Sequence, residues 1–339
     1  MTHSPIANLE TFRALLAAYR LPRVIVTALE LNVFTTMGSG AWSIPKLAQA
    51  LDVSRRGLDI LCRNLAMCGL LSKRGKVYRN TPFSATVLNA THSKYRGAYL
   101  ELMQRQWEDW SQLTQAVRSG FPLDRDKPDS PAYRRQFTWA MHHRSLDVAA
   151  RVAEGLDLRQ AATLLDLGGG PGTYAMAFLA QYSKLKATIC DRAAALEVAK
   201  EIAATHKARK RLSYLPFNFM DEAIPGQYDV VWYSNVLHIY SPQENQALFR
   251  RVHSALSRGG RLIIQDAFLH DHEALHPEEA SLFAVSMLLF TERGNTYSLR
   301  ETAKWLRAAG FVKIRPVRMK KGTEDWDGGI LEAVRPAGR

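Results

Sequence analysis

Three stretches of this 339-residue chain carry residue types that can do chemistry. The first is Leu164-Leu165-Asp166-Leu167-Gly168-Gly169-Gly170-Pro171-Gly172, an apolar run that ends in a glycine-dense turn. Glycine lets a backbone adopt positive φ and approach a ligand without a Cβ clash. A helix starting after such a turn offers unpaired N–H donors to a bound group. Asp191, nineteen positions past Gly172, ends the next apolar run. A carboxylate there can accept hydrogen bonds from ribose hydroxyls. The second stretch is Tyr233-Ser234-Asn235-Val236-Leu237-His238, and the third is Asp266, 28 positions after His238 at the tip of a further apolar run. An imidazole with an ordinary pKa of ~6.5 is mostly neutral at pH 7 and can take a proton.

The ligand class follows from what the glycine turn lacks. A dinucleotide loop of the form G-x-G-x-x-G would need glycine where Thr173 stands, and no Gly-Lys-Ser/Thr phosphate loop is present. Asp166 would repel a pyrophosphate but can hold the ammonium of an amino-acid moiety, directly or through water. That favours S-adenosylmethionine over NAD. A tight turn with no ligand is the weaker reading, because glycine-dense turns facing an acid-tipped strand are costly unless used. His270-Asp271-His272 with His276 and Glu278 fits no metal-ligand spacing, and sulfonium methyl transfer needs no Lewis acid, so no metal is expected.

These residues need a scaffold, and from Thr163 the chain alternates strands and helices. Strands are expected at Thr163–Leu167, Ala187–Cys190, Tyr228–Tyr233 and Arg261–Asp266, with helices at Tyr174–Tyr182, Ala193–His206 and Glu244–Leu256. That alternation means a parallel, doubly wound sheet with ligands at the carboxyl ends of its strands. A helix over Leu299–Ala309 ended by Gly310 and strands near Val312–Arg318 and Ile330–Val334 complete the C-terminal part. The N-terminal part reads helical. Ser43 and Ser54 are candidate caps for two helices, and Arg74-Gly75 joins Leu70–Lys73 to Val77–Arg79 in a hairpin. Two helices and a hairpin make a winged helix-turn-helix. Helical patterns over Tyr95–Gly120 and Tyr133–Glu154, separated by Pro122, Pro128 and Pro131, bridge the two parts. The expected domains are 1–94, 95–155 and 156–339.

Composition excludes other classes. Hydrophobic residues make up 47% and charged residues 23%, ordinary globular usage. No apolar run approaches the ~18 residues of a bilayer span, and Glu10, Arg13, Arg20, Arg23 and Glu30 interrupt any signal-peptide core. Three cysteines without a CxxC pair fit a reducing, cytoplasmic setting. The net charge of +13 is uneven: residues 1–160 hold 22 Lys and Arg against 13 Asp and Glu. A DNA-binding regulator using Arg55, Arg56, Arg63, Lys73, Arg74, Lys76 and Arg79 is therefore an alternative. It leaves the glycine loop and Asp191 unexplained, so a nucleic-acid partner is not expected.

Across nearly its whole length the chain resembles the class I S-adenosylmethionine-dependent methyltransferases, and among them the small-molecule O-methyltransferases with an N-terminal winged-helix dimerisation domain. The resemblance rests on Asp166–Gly172 with Asp191, on Tyr233–His238, and on Trp107–Gly120 and Phe137–Ser145 as linker helices. It implies a Rossmann-like α/β domain, S-adenosylmethionine as donor with S-adenosylhomocysteine as product, and a homodimer through Leu15–Tyr19 and Val24–Leu31. It implies donor contacts at Asp166, Gly168, Gly170, Gly172, Asp191, Asn218, Phe219, Ser234 and Ser145. Asn218 replaces the family's usual acid beside adenine, and its amide oxygen can still accept from the adenine amino group. His238 becomes the general base, oriented by Asp266. Trp139, Met141 and His142, with Phe283, Met287 and Phe290 of an apolar helix over Ser281–Phe290, line a pocket for a flat hydrophobic acceptor. Two departures stand out. Ile239-Tyr240 replace the usual Asp-Trp, and Thr296 stands where many relatives have a second glutamate, with Glu292 out of register. Transfer to carbon or nitrogen, and donor binding without transfer, stay open on sequence grounds.

Overall fold

The computed structural model describes residues 6–123, 130–319 and 328–338, so Pro128 of the proline-rich loop lies outside the described residues. The chain divides into two compact units, residues 1–104 and 105–339.

In the first unit, α1 (Leu9–Ala17) starts from a capping box in which the Asn8 side chain accepts the Thr11 N–H at 2.9 Å. It is followed by α2 (Arg20–Glu30), α3 (Val33–Met37), β1 (Trp42–Ser43), α4 (Ile44–Leu51), α5 (Arg55–Met67), β2 (Leu71–Arg74), β3 (Val77–Asn80) and α6 (Pro82–Val87). Apolar positions Leu58, Leu61 and Leu65 of α5 meet Phe34, Met37, Leu47 and Tyr78 in one core. Ser54 caps α5 by accepting the Gly57 N–H. Ser43 stands at the N-cap position of α4 but makes no side-chain cap hydrogen bond; it also belongs to β1, paired with Val77, and Pro45 lies in the first turn of the helix as expected. The wing therefore has three strands, in the order β1-β3-β2. Helix α1 contributes no buried residue, and Leu9, Phe12, Leu15 and Leu16 are exposed on it, with Tyr19 exposed just past its end.

Helix α7 (Gly97–Ser111) runs through the division between the units. The second unit continues with α8 (Leu113–Ser119), α9 (Pro131–Gly155), β4 (Thr163–Leu167), α10 (Thr173–Gln181), β5 (Lys186–Asp191), α11 (Ala193–Ala203), β6 (Leu212–Pro216), β7 (Tyr228–Ser234), α12 (Pro242–Ala255) and β8 (Leu256–Gln265). It closes with α13 (Glu278–Phe290), α14 (Leu299–Ala308), β9 (Val312–Val317) and β10 (Ile330–Val334). The seven strands lie in the order β6-β5-β4-β7-β8-β10-β9. The first five are mutually parallel, whereas β10 runs antiparallel to both β8 and β9. The all-parallel expectation is thus corrected at one edge. There β9 and β10 are consecutive strands in the chain, and consecutive strands can pair antiparallel.

Both faces of the sheet are covered, as the near-continuous apolar strands require. Val230, Trp232 and Ile263 pack under α9, α10 and α11. Their neighbours Val231, Tyr233 and Ile264 pack under α12 and α14, in the two-residue alternation of a strand. The order reverses at β4: β5 lies on one side of it and β7 on the other. In such sheets the ligand crevice lies above the carboxyl end of the strand at which the order reverses, here β4.

Candidate active site

The pairing registers bring the chemical residues to one edge. Leu167 pairs with Cys190, Asp166 with Trp232, and Ser234 with Gln265, so the ends of β4, β5, β7 and β8 are level. Asp166, Asp191, Ser234 and Asp266 all sit at or just past those ends.

The glycine turn follows from its surroundings. Gly168, Gly170 and Gly172 have φ of 70°, 49° and 70°, in the left-handed region that side chains avoid. A Cβ on Gly168 would also meet Val236 at 2.8 Å, and one on Gly169 would lie 2.6 Å from the Asp166 carboxyl carbon. The Cys190 carbonyl accepts from the Gly168 and Gly169 N–H groups at 2.8 and 3.2 Å. Asp191 Oδ2 accepts the Gly170 N–H at 2.8 Å and its Oδ1 the Arg192 N–H at 2.7 Å. Each oxygen keeps a second lone pair for a ribose hydroxyl.

Asp166 is buried, and its Oδ2 accepts the Ala175 N–H at 3.3 Å. Burial pushes its carboxyl up to about 7; the Ala175 hydrogen bond opposes this and the nearby Asp191 charge adds to it. Asp191 is raised too, chiefly by burial, with the Arg192 and Gly170 N–H groups and the charges of Arg134 and Arg192 pulling the other way. Two carboxyl groups reluctant to ionise beside a helix start fit a ligand that brings an ammonium. They do not fit a pyrophosphate.

Phe219 is buried and faces the turn, its ring 3.5 Å from where a Gly168 Cβ would be. Asn218 is exposed and engaged locally: its Oδ1 accepts the Met220 N–H at 3.2 Å and its Nδ2 donates to Asp221. One lone pair of that oxygen remains for an adenine amino group. Ser145 is buried on α9, and Ser234 is half-buried with its hydroxyl accepting from Asn235 Nδ2 at 3.0 Å.

On the other side of the crevice, His238 lies in a one-turn 3-10 helix, Leu237–Ile239. Its Nδ1 is 2.7 Å from Asp266 Oδ1, and both side chains are buried. A carboxylate oxygen only accepts, so Nδ1 carries the hydrogen, and in the neutral imidazole Nε2 presents a lone pair. Asp266 Oδ1 also accepts the Ala267 N–H at 2.8 Å, while its Oδ2 is buried without a hydrogen-bond partner. The turn itself is braced. Buried Asn245 donates through Nδ2 to the carbonyls of Leu237, Tyr240 and Ser241, and the Asn295 N–H donates to the His238 carbonyl at 2.9 Å. A Cβ on Gly294 would come 2.4 Å from that carbonyl.

Phe283 of α13 stands edge-on to the His238 ring at 4.8 Å and packs on Ala267 and Leu269 just past Asp266. Met287 is buried and Phe290 half-buried on the same helix. Trp139 and Met141 are half-buried on α9. His142 is not simply an acceptor-facing residue: its Nδ1 lies 2.9 Å from the Thr173 hydroxyl at the start of α10. Thr296 is buried, its N–H held by Asn295 Oδ1, and Glu292 is exposed. Among the described residues, Asp266 supplies the one carboxylate bonded to His238. His270 Nε2 bonds the Gly328 carbonyl, His272 bonds Arg300, and Asp271 accepts from Leu275 and His276. Among the described residues no cluster of His, Cys, Asp and Glu could hold a metal, and no helix is long and apolar enough to cross a membrane.

Sequence reasoning missed Thr173 as a contact residue, using it only to exclude a dinucleotide loop. A hydroxyl at the first position of the helix after Gly172 was the available signal. It also missed Asn235, whose φ of 57° bends the chain between Ser234 and His238.

Comparison with known proteins agrees with this geometry. Residues 102–312 match the O-methyltransferase domain family and residues 14–90 the O-methyltransferase dimerisation domain. The chain belongs to the O-methyltransferase family, enzymes that move a methyl group from S-adenosylmethionine to oxygen. It is 27% identical to a 3-hydroxy-5-methyl-1-naphthoate 3-O-methyltransferase of Streptomyces sahachiroi, over 87% of each chain. It is 29% identical to a mitomycin biosynthesis 6-O-methyltransferase of Streptomyces lavendulae, over 89% of this chain and 88% of that one. The solved structure of a mitomycin 7-O-methyltransferase superimposes with a TM-score of 0.80 at 26% identity, covering 97% of each chain. Oxygen is the acceptor atom, in place of the carbon or nitrogen left open by the sequence.

Proposed function

We propose that this enzyme methylates a hydroxyl on a flat, hydrophobic aromatic molecule, with His238 as general base and Asp266 as its orienting partner. The observation that carries the reading is the buried 2.7 Å contact between His238 Nδ1 and Asp266, which leaves Nε2 as an acceptor beside the Phe283 ring. The donor supplies a methyl group already activated on sulfonium. Asp166 holds its ammonium, Asp191 its ribose, and Phe219 and Asn218 flank its adenine, with Gly168, Gly170 and Gly172 giving the backbone room. Ser145 and Ser234 complete the donor side.

A phenol of ordinary pKa ~10 is mostly protonated at pH 7. Its proton passes to His238 Nε2 as the oxygen attacks, and the Asp266 carboxylate stabilises the imidazolium that forms. In-line positioning supplies the larger share, ~7–11 kcal/mol in well-oriented systems. Trp139, Met141, Met287 and Phe290, with Phe283, form the acceptor wall. Two relatives are named for a naphthoate and for mitomycin, and the apolar wall here suits a ring of that kind. A second copy covers the apolar face of α1, giving a homodimer. The setting is the cytoplasm and the pathway one of secondary metabolism.

The test is methyl transfer from labelled S-adenosylmethionine to a panel of hydroxylated naphthoates and quinones, by wild type and by His238→Ala and Asp266→Asn variants. The reading holds if wild type labels a phenolic oxygen and both variants lose most turnover while still binding S-adenosylhomocysteine. Wild-type rates in His238→Ala would overturn the base assignment.

A further inference from the structure

The donor loop is anchored mostly from within its own motif. Cys190 holds its first two amides, Asp191 the third, and Asp166 the third residue of the helix that follows. His142 reaches the same turn from elsewhere in the chain, 31 positions before Thr173. Thr173 is buried, the first residue of α10, directly behind Gly172 at φ 70°. The His142 ring is itself held, edge-on to Trp139 at 5.9 Å and beside His143 at 5.9 Å. Helix α9 is tied a second time to the same layer, where Arg135 grips Glu201 of α11 with two bonds of 2.7 and 2.8 Å.

Three residues in αL cost the loop conformational freedom, since glycine has the most to lose on ordering. A hydrogen bond that fixes the first turn of α10 reduces the number of states from which the donor must select. We propose that His142 is a positioning residue for the donor loop: by holding the Thr173 hydroxyl it keeps Gly168–Gly172 in the binding conformation. It also puts donor loop and acceptor wall on one helix, because Trp139 and Met141 are its neighbours on α9. This inference rests on the reading of the loop as the S-adenosylmethionine site.

Calorimetry with S-adenosylhomocysteine, which needs no acceptor, tests it on the full chain, with thermal unfolding to confirm that each variant folds. His142→Phe and Thr173→Val should each weaken binding by about tenfold at most, the range of one hydrogen bond. The double variant should be no weaker than either single one. His142→Asn, which keeps a polar atom near the Nδ1 position, and Thr173→Ser should restore most of the affinity. Additive losses, or His142→Phe and Thr173→Val variants that bind as tightly as wild type, would overturn the proposal. A wild type that fails to bind at all would instead overturn the donor-site reading on which it rests.

Discussion

The two walls of the crevice are built on different principles. On the donor side, polar groups and backbone conformations are fixed one by one: three left-handed glycines, two buried or half-buried carboxyl groups, and amides each assigned to an acceptor. On the acceptor side, α13 is apolar nearly all round, yet only Ala280, Met287 and Leu289 are buried and Leu282 is exposed. Specific hydrogen bonds fix one ligand closely, whereas an apolar wall selects by size and flatness and discriminates weakly between related rings. The donor site is therefore written in short motifs and the acceptor site in a diffuse surface. His238 and Asp266, at the boundary, share the first character: a defined pair on a braced turn.

That contrast can be broken at several points. The largest effect belongs to the boundary pair. His238→Ala should lower turnover by ~10²–10⁴-fold, the usual span of general base catalysis, with donor affinity unchanged by calorimetry. Next comes the donor loop. Gly169→Ala places a Cβ against the Asp166 carboxyl, so S-adenosylhomocysteine affinity should fall by at least about tenfold, the factor for ~1.4 kcal/mol, with turnover at saturating donor less affected.

Asp166 predicts a pH dependence. Its carboxyl in the ligand-free protein titrates near 7, above its ordinary range, so the folded state holds a proton that the unfolded state has released between about pH 4 and 7. The free protein should lose stability as pH rises from about 4 to about 7, and this group should contribute no further loss above that. A bound ammonium favours the carboxylate, so S-adenosylhomocysteine affinity should rise over that interval, by up to about tenfold per pH unit below 7. The gain in Tm on binding should accordingly be larger at pH 8 than at pH 6, and Asp166→Asn should flatten this difference.

The acceptor wall should respond in a different constant. Phe283→Leu and Met287→Ala should change the acceptor KM by factors of about 10–200, within the 1–3 kcal/mol that an apolar pocket commands, and leave donor binding alone. Loss of donor binding in either variant would erase the distinction between the walls.

The legibility of the sequence follows the same division. Asp166–Gly172, Asp191, His238 and Asp266 could be located because each sits at the end of an apolar strand, a pattern local in the chain. The expected Thr163–Leu167 and Ile330–Val334 strands have the observed bounds. Strand β6 was not read, because Leu212–Pro216 is a short, half-exposed edge strand with weak apolar patterning and a terminal proline. The contact of His142 with Thr173 was not legible either: it depends on how α9 lies across α10, which no spacing within either helix encodes. Ser43 was placed correctly at the start of α4, but its side chain makes no cap hydrogen bond and its backbone also pairs with Val77, which spacing does not reveal.

The account meets its most direct test in a crystal structure of the enzyme with S-adenosylhomocysteine. The amino group should lie within hydrogen-bond reach of Asp166, the ribose on Asp191 and the adenine beside Phe219, with the sulfur turned across open apolar space toward His238 Nε2. A nucleoside bound away from the Gly168–Gly172 turn, or a sulfur facing away from His238, would contradict it.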